Sequence, residues 1–352
     1  MNKFLLLLNV FAAILAFVSY FAPYNDPSQN WYFSFIGIAF PWILLGNILF
    51  IVYWLLTKSK KWYAIISLVA IIFGWEYVTA HVGMSFGRST DDSKQTIKLM
   101  TYNLSLFDKF LIKNKKGEQL ESDFYDFLSA QNSDIICFQE FLRAGALHNK
   151  IQGQIKEKTH MPYFYQNTTN SLAFFSKFPI VSYGTLPFGN ASNGCVYVNV
   201  KIGKKEIRIY NVHLESNSVS GMADKIADEG DIQDERTWRE VRSMLSIVKN
   251  KAPLRCKQAR LIAENIRKCK IPNIVCGDFN ETPMSYSYQL LKLRKKDTFQ
   301  EAGFGIGTTY SGSIPGLKID HILVSEQFMP IKSRVVRKNF SDHYAVISEI
   351  EF

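Results

Sequence analysis

Apolar and polar positions follow two different rhythms along this chain. Over the first eighty residues the apolar side chains run in three unbroken blocks: Phe4 to Phe21, Phe33 to Leu56 and Trp62 to Val78. Beyond them they break into short runs, several of which end abruptly in a polar residue. A bilayer core takes about 20 apolar residues of helix, with a range of roughly 17–25. The blocks therefore predict three transmembrane helices, at about 4–21, 33–56 and 62–78, forming a membrane anchor over 1–80. Pro41 and Gly46 are tolerable inside such a segment. Trp31, Tyr32, Tyr53, Trp54, Trp62, Tyr63, Trp75 and Tyr77 gather at the block ends, where headgroups favour amphipathic rings. The first block, behind a lone Lys3, also admits a second reading as a cleaved signal peptide.

Basic residues orient these blocks. Ala22 to Trp31 holds an Asp and no Lys or Arg, whereas the link Thr57 to Lys61 holds three Lys. Positive loops stay in the cytoplasm. The N-terminus is then cytoplasmic, and everything after three crossings is extracytoplasmic, periplasmic or on the cell surface. Residues 81–96 are polar toward their end (RSTDDSK) and read as a linker to a domain over 97–352.

In that domain the short runs read as strands. They are IKLMTYNL from Ile97, DIICFQE from Asp134, EIRIYNVHLES from Glu206, IVCGDFNETP from Ile274, KIDHILVS from Lys318 and NFSDHYAVISEIEF from Asn339. Side chains two apart on a strand share a face. If the extended path continues past Gly277, Asp278 and Asn280 emerge together at one side of a strand end, and Gly277 leaves room for another group to approach. Gly, Asp and Asn also form turns, which is the competing reading. Cys195 to Leu214 predicts a hairpin turning at Gly203-Lys204. Helical spacing appears at 123–130, in part of 140–160, and at 257–268. In 231–250, Trp238, Val241, Leu245 and Val248 share one face beside Arg236, Arg239 and Arg242. That is either a packed surface helix or a basic amphipathic helix on a membrane surface. Hairpins mixed with helix-separated strands predict a mixed sheet, not a doubly wound parallel one.

Charge and cysteines change the picture only a little. The net charge is +10, and most of it lies beyond residue 88, which suits an anionic partner without choosing one. None of the five cysteines stands in a zinc or C-x-x-C spacing. Cys137 and Cys276 sit inside apolar runs and read as core thiols.

The polar residues at the run ends are Asn103, Glu140, His213, Asp278, Asn280, Asp320, Asp342 and His343. Four carboxylates and two amides favour a hard cation such as Mg2+, with Mn2+ as an alternative, over zinc. Such a cation beside acids and imidazoles suits phosphoryl chemistry.

The motifs TYNL, ICFQE, FFSKFPI, YNVHLES, CGDFNETP, KIDHILVS and SDHYAV stand in this order. In them the chain resembles the endonuclease/exonuclease/phosphatase superfamily, which includes deoxyribonuclease I-like and neutral sphingomyelinase-like enzymes. The resemblance covers about Ile97 to Phe352 and implies a four-layer α/β/β/α sandwich with its site at one edge of the two sheets. It implies a metal-dependent phosphoester hydrolase with Glu140 as principal Mg2+ ligand, Asn103 beside it and Asp342 in support. His213 would contact the scissile phosphate, Asp278 would help activate water, and Asn280 would hold the phosphate or that water. His343, oriented by Asp320, would contact phosphate or act as base; the family pattern leaves the base open between Asp278 and His343. Arg143, three residues after Glu140, would contact a phosphate, with a surface salt bridge as the plain alternative.

The sequence departs from the inositol 5-phosphatases around GDFN and KIDHIL, and it carries an insertion over 217–255. No extended basic, aromatic-interleaved track marks a DNA groove. An integral membrane phosphodiesterase is the expected function, acting on a lipid headgroup or on nucleic acid. An extracytoplasmic nuclease is the alternative, and an inactive membrane-bound binding module the alternative of another class. No obligate protein partner is evident.

Overall fold

The computed structural model of the chain describes residues 2–57, 60–91, 93–109, 115–189, 193–216, 234–312 and 315–352. The first apolar block forms α1, Asn2–Ser19. Its helical run, Lys3–Tyr24, is long and apolar enough to cross a membrane. The second block is broken into α2, Tyr32–Ile38, and α3, Phe40–Leu56, bent by 53°. Pro41 stands in the first turn of α3 and has no N–H to carry the ladder through the break. The third block is broken at Gly74 into α4, Ala64–Phe73, and α5, Trp75–His81, with a bend of 76°. The Tyr20 ring fills the space where a Cβ on Gly74 would stand. Three continuous spans are therefore not what this region contains. Among the described residues it has one helix long and apolar enough to cross a membrane, or up to three such spans if each bent pair counts as one.

The chain does not trail from α5 as a free linker. Val82–Met84 (β1) pairs with a later strand, and β2 follows at Thr96–Asn103. Then come α6 (Lys115–Gln131), β3 (Ile135–Gln139), α7 (Ala146–Thr159), β4 (Tyr163–Asn167), β5 (Leu172–Ser176) and β6 (Ile180–Pro187). The predicted hairpin is β7 (Gly194–Ile202) and β8 (Lys205–His213), with Gly203 at φ 59° in the two-residue turn. The two helical patterns around 231–268 join in a single helix, α8 (Glu235–Lys268), with Pro253 inside it; residues 217–233 of the insertion lie outside the described residues. The rest is β9 (Asn273–Asp278), α9 (Tyr286–Lys292), β10 (Lys295–Asp297), α10 (Thr298–Ala302), β11 (Phe304–Ile306), β12 (Asp320–Ser325), β13 (Met329–Val336) and β14 (Ala345–Glu351).

Two six-stranded sheets result, in the orders β10-β12-β9-β8-β7-β6 and β13-β14-β2-β3-β5-β4. Period-2 alternation sorts their side chains. Ile97 and Leu99 of β2, Ile135 and Cys137 of β3, Ile209 of β8, Ile274 and Cys276 of β9, and Ile322 of β12 fill the space between the sheets. Met100 and Tyr102 of β2 pack outward with Phe124 and Leu128 of α6 and Ile151 of α7. Tyr210 and Val275 pack outward with Ala259 and Ile262 of α8 and Tyr288 of α9. These three apolar interfaces define the four layers α/β/β/α. All five cysteines are free thiols, and only Cys269 is not fully buried.

The helical segment is docked on this sandwich. Met284 sits in one apolar cluster with Ala13, Tyr20, Phe40, Leu44 and Ala70. Asp26 pairs with Arg260 of α8, and Glu76 with Lys292 at 3.1 Å. The basic helix α8 thus packs on the domain through Val248, Ala252, Cys256 and Ile262, while Trp238 near its start is exposed.

Candidate active site

The face that fills the inter-sheet core also carries the candidate residues, because each continues its strand's parity. Asn103 follows Ile97 and Leu99, His213 follows Ile209, Asp278 follows Ile274 and Cys276, and Asp320 precedes Ile322. At the strand ends the apolar filling stops and these polar groups take over. Register brings them together: His213 lies opposite Asp278 across β8 and β9, and Asp278 opposite Asp320 across β9 and β12. Two residues of the same parity, Gln139 and Asn211, tie the sheets together instead. Gln139 Nε2 donates to Asn211 Oδ1 at 2.6 Å and to Thr101 Oγ1 at 3.0 Å. Asn211 Nδ2 donates to the carbonyls of Phe138 and Ala173.

Gly277 has φ 133°, and a Cβ there would stand 2.0 Å from the Val212 carbonyl oxygen. The group that approaches this glycine is thus the neighbouring strand β8. The extended path stops at Asp278, and Asn280 lies in the left-handed region at φ 50°. Its N–H donates to Asp278 Oδ1 at 2.8 Å, so of the two readings of this stretch it is the turn that the chain adopts. The turn still brings Asn280 to the site, because its Nδ2 lies 3.2 Å from Asp278 Oδ2. Glu140 is also left-handed, at φ 52°. Such backbone stores strain and persists where surrounding structure fixes it.

Buried Asp278 also accepts from Asn103 Nδ2 at 3.0 Å, and the same amide lies 3.3 Å from Glu140 Oε1. The Asn103 oxygen is occupied by the Ser105 N–H at 3.0 Å. Asn103 therefore meets the acids as a donor; serving as a metal ligand requires turning its amide and releasing Ser105. His213 Nε2 lies 3.6 Å from Glu140 and 3.8 Å from Asp278, too far for hydrogen bonds. Among the described residues both its buried ring nitrogens lack a hydrogen-bond partner, as does Asp320 Oδ1. Unsatisfied buried polar groups in one place mark a site made for something else to bind.

His343 Nδ1 lies 2.9 Å from Asp320 Oδ2, and its Nε2 lies 3.8 Å from Asp278 Oδ2. Burial alone would lower its pKa, but the Asp320 and Asp278 carboxylates outweigh this and push it up to about 10. Burial is also the main reason that Asp320 rises to about 6. Ligand atoms of Asp278, Asp320 and His343 all lie within 4.8 Å of one another. Asp342 is partly exposed next to His343, and its carboxylate accepts from Ser341 Oγ at 3.1 Å. Exposed Arg143 donates from Nε to Ser171 Oγ at 3.1 Å.

The donor set fits a hard divalent cation: oxygen-rich, without thiolates, and with a half-exposed Glu140 carboxylate that has no Lys or Arg against it among the described residues. Sequence reading missed three residues. Thr309 Oγ1 accepts the N–H of Ile319 and of Asp320, at 2.9 and 3.0 Å, and so anchors the start of β12. Tyr310 stands edge-on to His343, with ring centroids 5.4 Å apart. Buried Asn170 packs on Gly194, which pairs with His213, and its Oδ1 lacks a partner. All three come from loops whose residue types read as ordinary turn chemistry, and only the fold shows their position.

A two-sheet sandwich with acids, amides and two imidazoles gathered at one end of both sheets defines a metal-dependent hydrolase of phosphoester bonds. The chain belongs to the endonuclease/exonuclease/phosphatase family, whose model matches residues 100–343. Residues 2–81 match a second model, described as a domain of unknown function (DUF8431). No curated protein matches the chain. Among solved structures, the fold is similar to an endonuclease/exonuclease/phosphatase family protein from Bacteroides thetaiotaomicron, 18% identical, with a TM-score of 0.50, covering 74% of this chain and 98% of that one. It is also similar to one from Beutenbergia cavernae (14%, TM-score 0.51, 74% and 72% covered). D. rerio TDP2 complexed with single-strand DNA product is similar as well (12%, TM-score 0.51, 73% and 99% covered).

Proposed function

We propose that this chain is a Mg2+-dependent phosphodiesterase anchored in a membrane by its N-terminal helices, with a lipid phosphodiester as substrate. The observation that carries the catalytic reading is the convergence of His213, Asp278, Asp320 and His343 with Glu140 nearby, and with both His213 nitrogens unpartnered. Glu140 would hold the cation, with Asp342 in support and Asn103 reorienting. Bound there, Mg2+ supplies polarisation of a phosphoryl oxygen and offsets charge on the leaving oxygen.

The protein's own groups divide the remaining work. Asp278 is oriented by Asn103 and Asn280 and is placed to take a proton from water. His343 is held by Asp320 and pushed toward its charged form, which suits a donor to a phosphate oxygen. His213 and Asn280 offer further donors. In the trio Asp278, Asp320 and His343, the side chains already engage one another or nearby amides, which supports proton handling there over metal holding.

Docking of the helices supports a lipid substrate. The loop just after GDFN is seated on them, with Thr282 Oγ1 donating to the Gly37 carbonyl at 3.4 Å and Met284 inside their apolar cluster. The second reading, an extracytoplasmic nuclease, is favoured by the net charge of +10 and by the DNA held in the TDP2 relative.

The test uses the full chain reconstituted in vesicles. Hydrolysis of bis-p-nitrophenyl phosphate should need Mg2+ and vanish in folded Glu140→Ala and His343→Ala variants. A panel of sphingomyelin-type lipids, glycerophospholipids, duplex DNA and RNA then decides the substrate, and preference for nucleic acid rejects the lipid reading. A reporter fused after Phe352 should be active outside the cytoplasm; a cytoplasmic signal rejects the orientation.

A further inference from the structure

The segment that leaves α5 builds an apolar surface that the catalytic chemistry does not use. Strands β1 and β11 form an isolated two-stranded antiparallel ribbon, pairing Val82 with Ile306 and Met84 with Phe304. Paired residues point to the same side of a ribbon. Met84 is 48% exposed, Phe304 62%, Ile306 61%, and Phe86 just beyond the ribbon 84%. Phe86 stacks on Phe304 with ring centroids 4.4 Å apart, so the four side chains make one continuous apolar face. Soluble monomers seldom leave large contiguous apolar patches in water without an interaction to serve.

This face is held firmly. Gly307 N donates to the His81 carbonyl at 2.8 Å, and Ser85 N to Gly303 at 2.9 Å. Arg337 Nη2 donates to the Ile306 carbonyl at 3.1 Å. The back of the ribbon is close-packed: a Cβ on Gly83 would stand 2.4 Å from the Gly303 carbonyl oxygen.

We infer that this ribbon face is a bilayer-docking surface that inserts its four apolar side chains at headgroup level beside the membrane anchor. The inference rests on reading the N-terminal helices as a membrane anchor. Continuity is the first argument. The 76° bend at Gly74 turns α5 away from α4, and β1 begins at the residue after α5 ends. The ribbon is therefore delivered sideways from a helix pair apolar enough to belong to a membrane. Charge is the second argument. Arg337 holds the ribbon's edge, and Arg88 and the Lys332 side chain flank Gly87 beside Phe86. Arg88 pairs with Glu301 at 3.2 Å. Basic groups around apolar side chains match an anionic headgroup layer over acyl chains.

The ribbon also leads along the chain toward the chemistry. From Ile306, β11 runs on to Thr309 and Tyr310, the residues that anchor Asp320 and stand against His343. A ribbon seated in the headgroup layer would hold that side of the site at the membrane surface.

The experiment places a nitroxide on Phe304→Cys, and separately on Tyr183→Cys as an exposed control in β6, both in a Cys269→Ser background. The full chain is reconstituted in vesicles of phosphatidylcholine with phosphatidylglycerol. At residue 304 the label should be more accessible to oxygen than to a water-soluble nickel chelate, and at 183 the reverse. Co-flotation with the vesicles is read in the same samples. If the chain does not float with vesicles, the membrane anchor itself is wrong. If it floats but residue 304 is as aqueous as residue 183, the docking surface is rejected while the anchor stands. Strong dipolar coupling between 304 labels of two chains would assign the face to a second copy and also overturn the proposal. In a Phe86→Asp/Phe304→Asp variant, hydrolysis of vesicle-borne substrate should fall about tenfold or more, with soluble diester turnover unchanged.

Discussion

His343 gives its Nδ1 hydrogen to Asp320 Oδ2 across 2.9 Å, which leaves its Nε2 facing the cavity beside Asp278. The pair fixes the direction of the ring and favours its charged form. Asp320→Asn keeps the volume but removes the charged acceptor. We expect turnover on bis-p-nitrophenyl phosphate to fall by roughly 10²-fold or more, since a misoriented acid–base group forfeits most of its contribution. Thermal unfolding should stay close to wild type. Retention of full turnover would remove Asp320 from the mechanism.

Glu140 is the most exposed of the acids in these ion pairs, with no Lys or Arg against it among the described residues, and it stands apart from the Asp278, Asp320 and His343 cluster. EDTA should silence the wild-type enzyme, and Mg2+ should restore it. In Glu140→Gln the Mg2+ concentration for half-maximal activity should rise by about 10–100-fold, the range seen when groups that hold or orient a metal are altered. An unchanged Mg2+ response would place the cation elsewhere.

Gly277 meets the Val212 carbonyl oxygen of the adjacent strand and has a backbone angle that side chains avoid. Gly277→Ala should cost at least ~2 kcal/mol, because the strain of φ 133° adds to the overlap. Chemical denaturation of the full chain in detergent measures it. A midpoint equal to wild type would show that β8 and β9 can separate without cost.

Asp297 is a buried carboxylate next to the site but outside it. Burial would raise its pKa, yet the Lys318 ammonium at 2.7 Å, with His321 beside it, holds it well below 3.8. Above about pH 5 the folded and unfolded chains both carry the charge, and the pair contributes in full. As pH falls further, the unfolded chain takes up the proton first, so stability is lost toward the lower folded value. Asp297→Asn should therefore be less stable than wild type at pH 7 and should lose less stability between pH 5 and 3. Parallel pH curves for the two proteins would contradict this.

Much of the site was legible because strand parity is local. Asp278 and Asp320 sit two residues, and Asn103 and His213 four residues, from an apolar neighbour on the same face, and that spacing can be read from the chain. Parity cannot say whether a polar residue at such a position reaches the cavity. Asn211 and Gln139 carry the same signature as His213 and Asp278, but they bond across the sheets. Nor could spacing choose between a continued strand and the turn that Gly277, Asp278 and Asn280 also allow; the Asp278 side chain captures the Asn280 N–H and ends the strand.

Local pattern by itself determined the helical blocks, the strands that carry the site, the turn at Gly203 and the residue types gathered for chemistry, because periodicity and turn preference act over a few residues. Tertiary structure alone decided that Gly74 and the Pro41 region break two of the blocks and that β1 pairs with β11. It also decided that Met284 lies among the N-terminal helices and that the His213 nitrogens have no hydrogen-bond partner among the described residues. Those outcomes depend on contacts between segments far apart in the chain, such as Tyr20 filling the space at Gly74, and no short window of sequence contains both sides of such a contact.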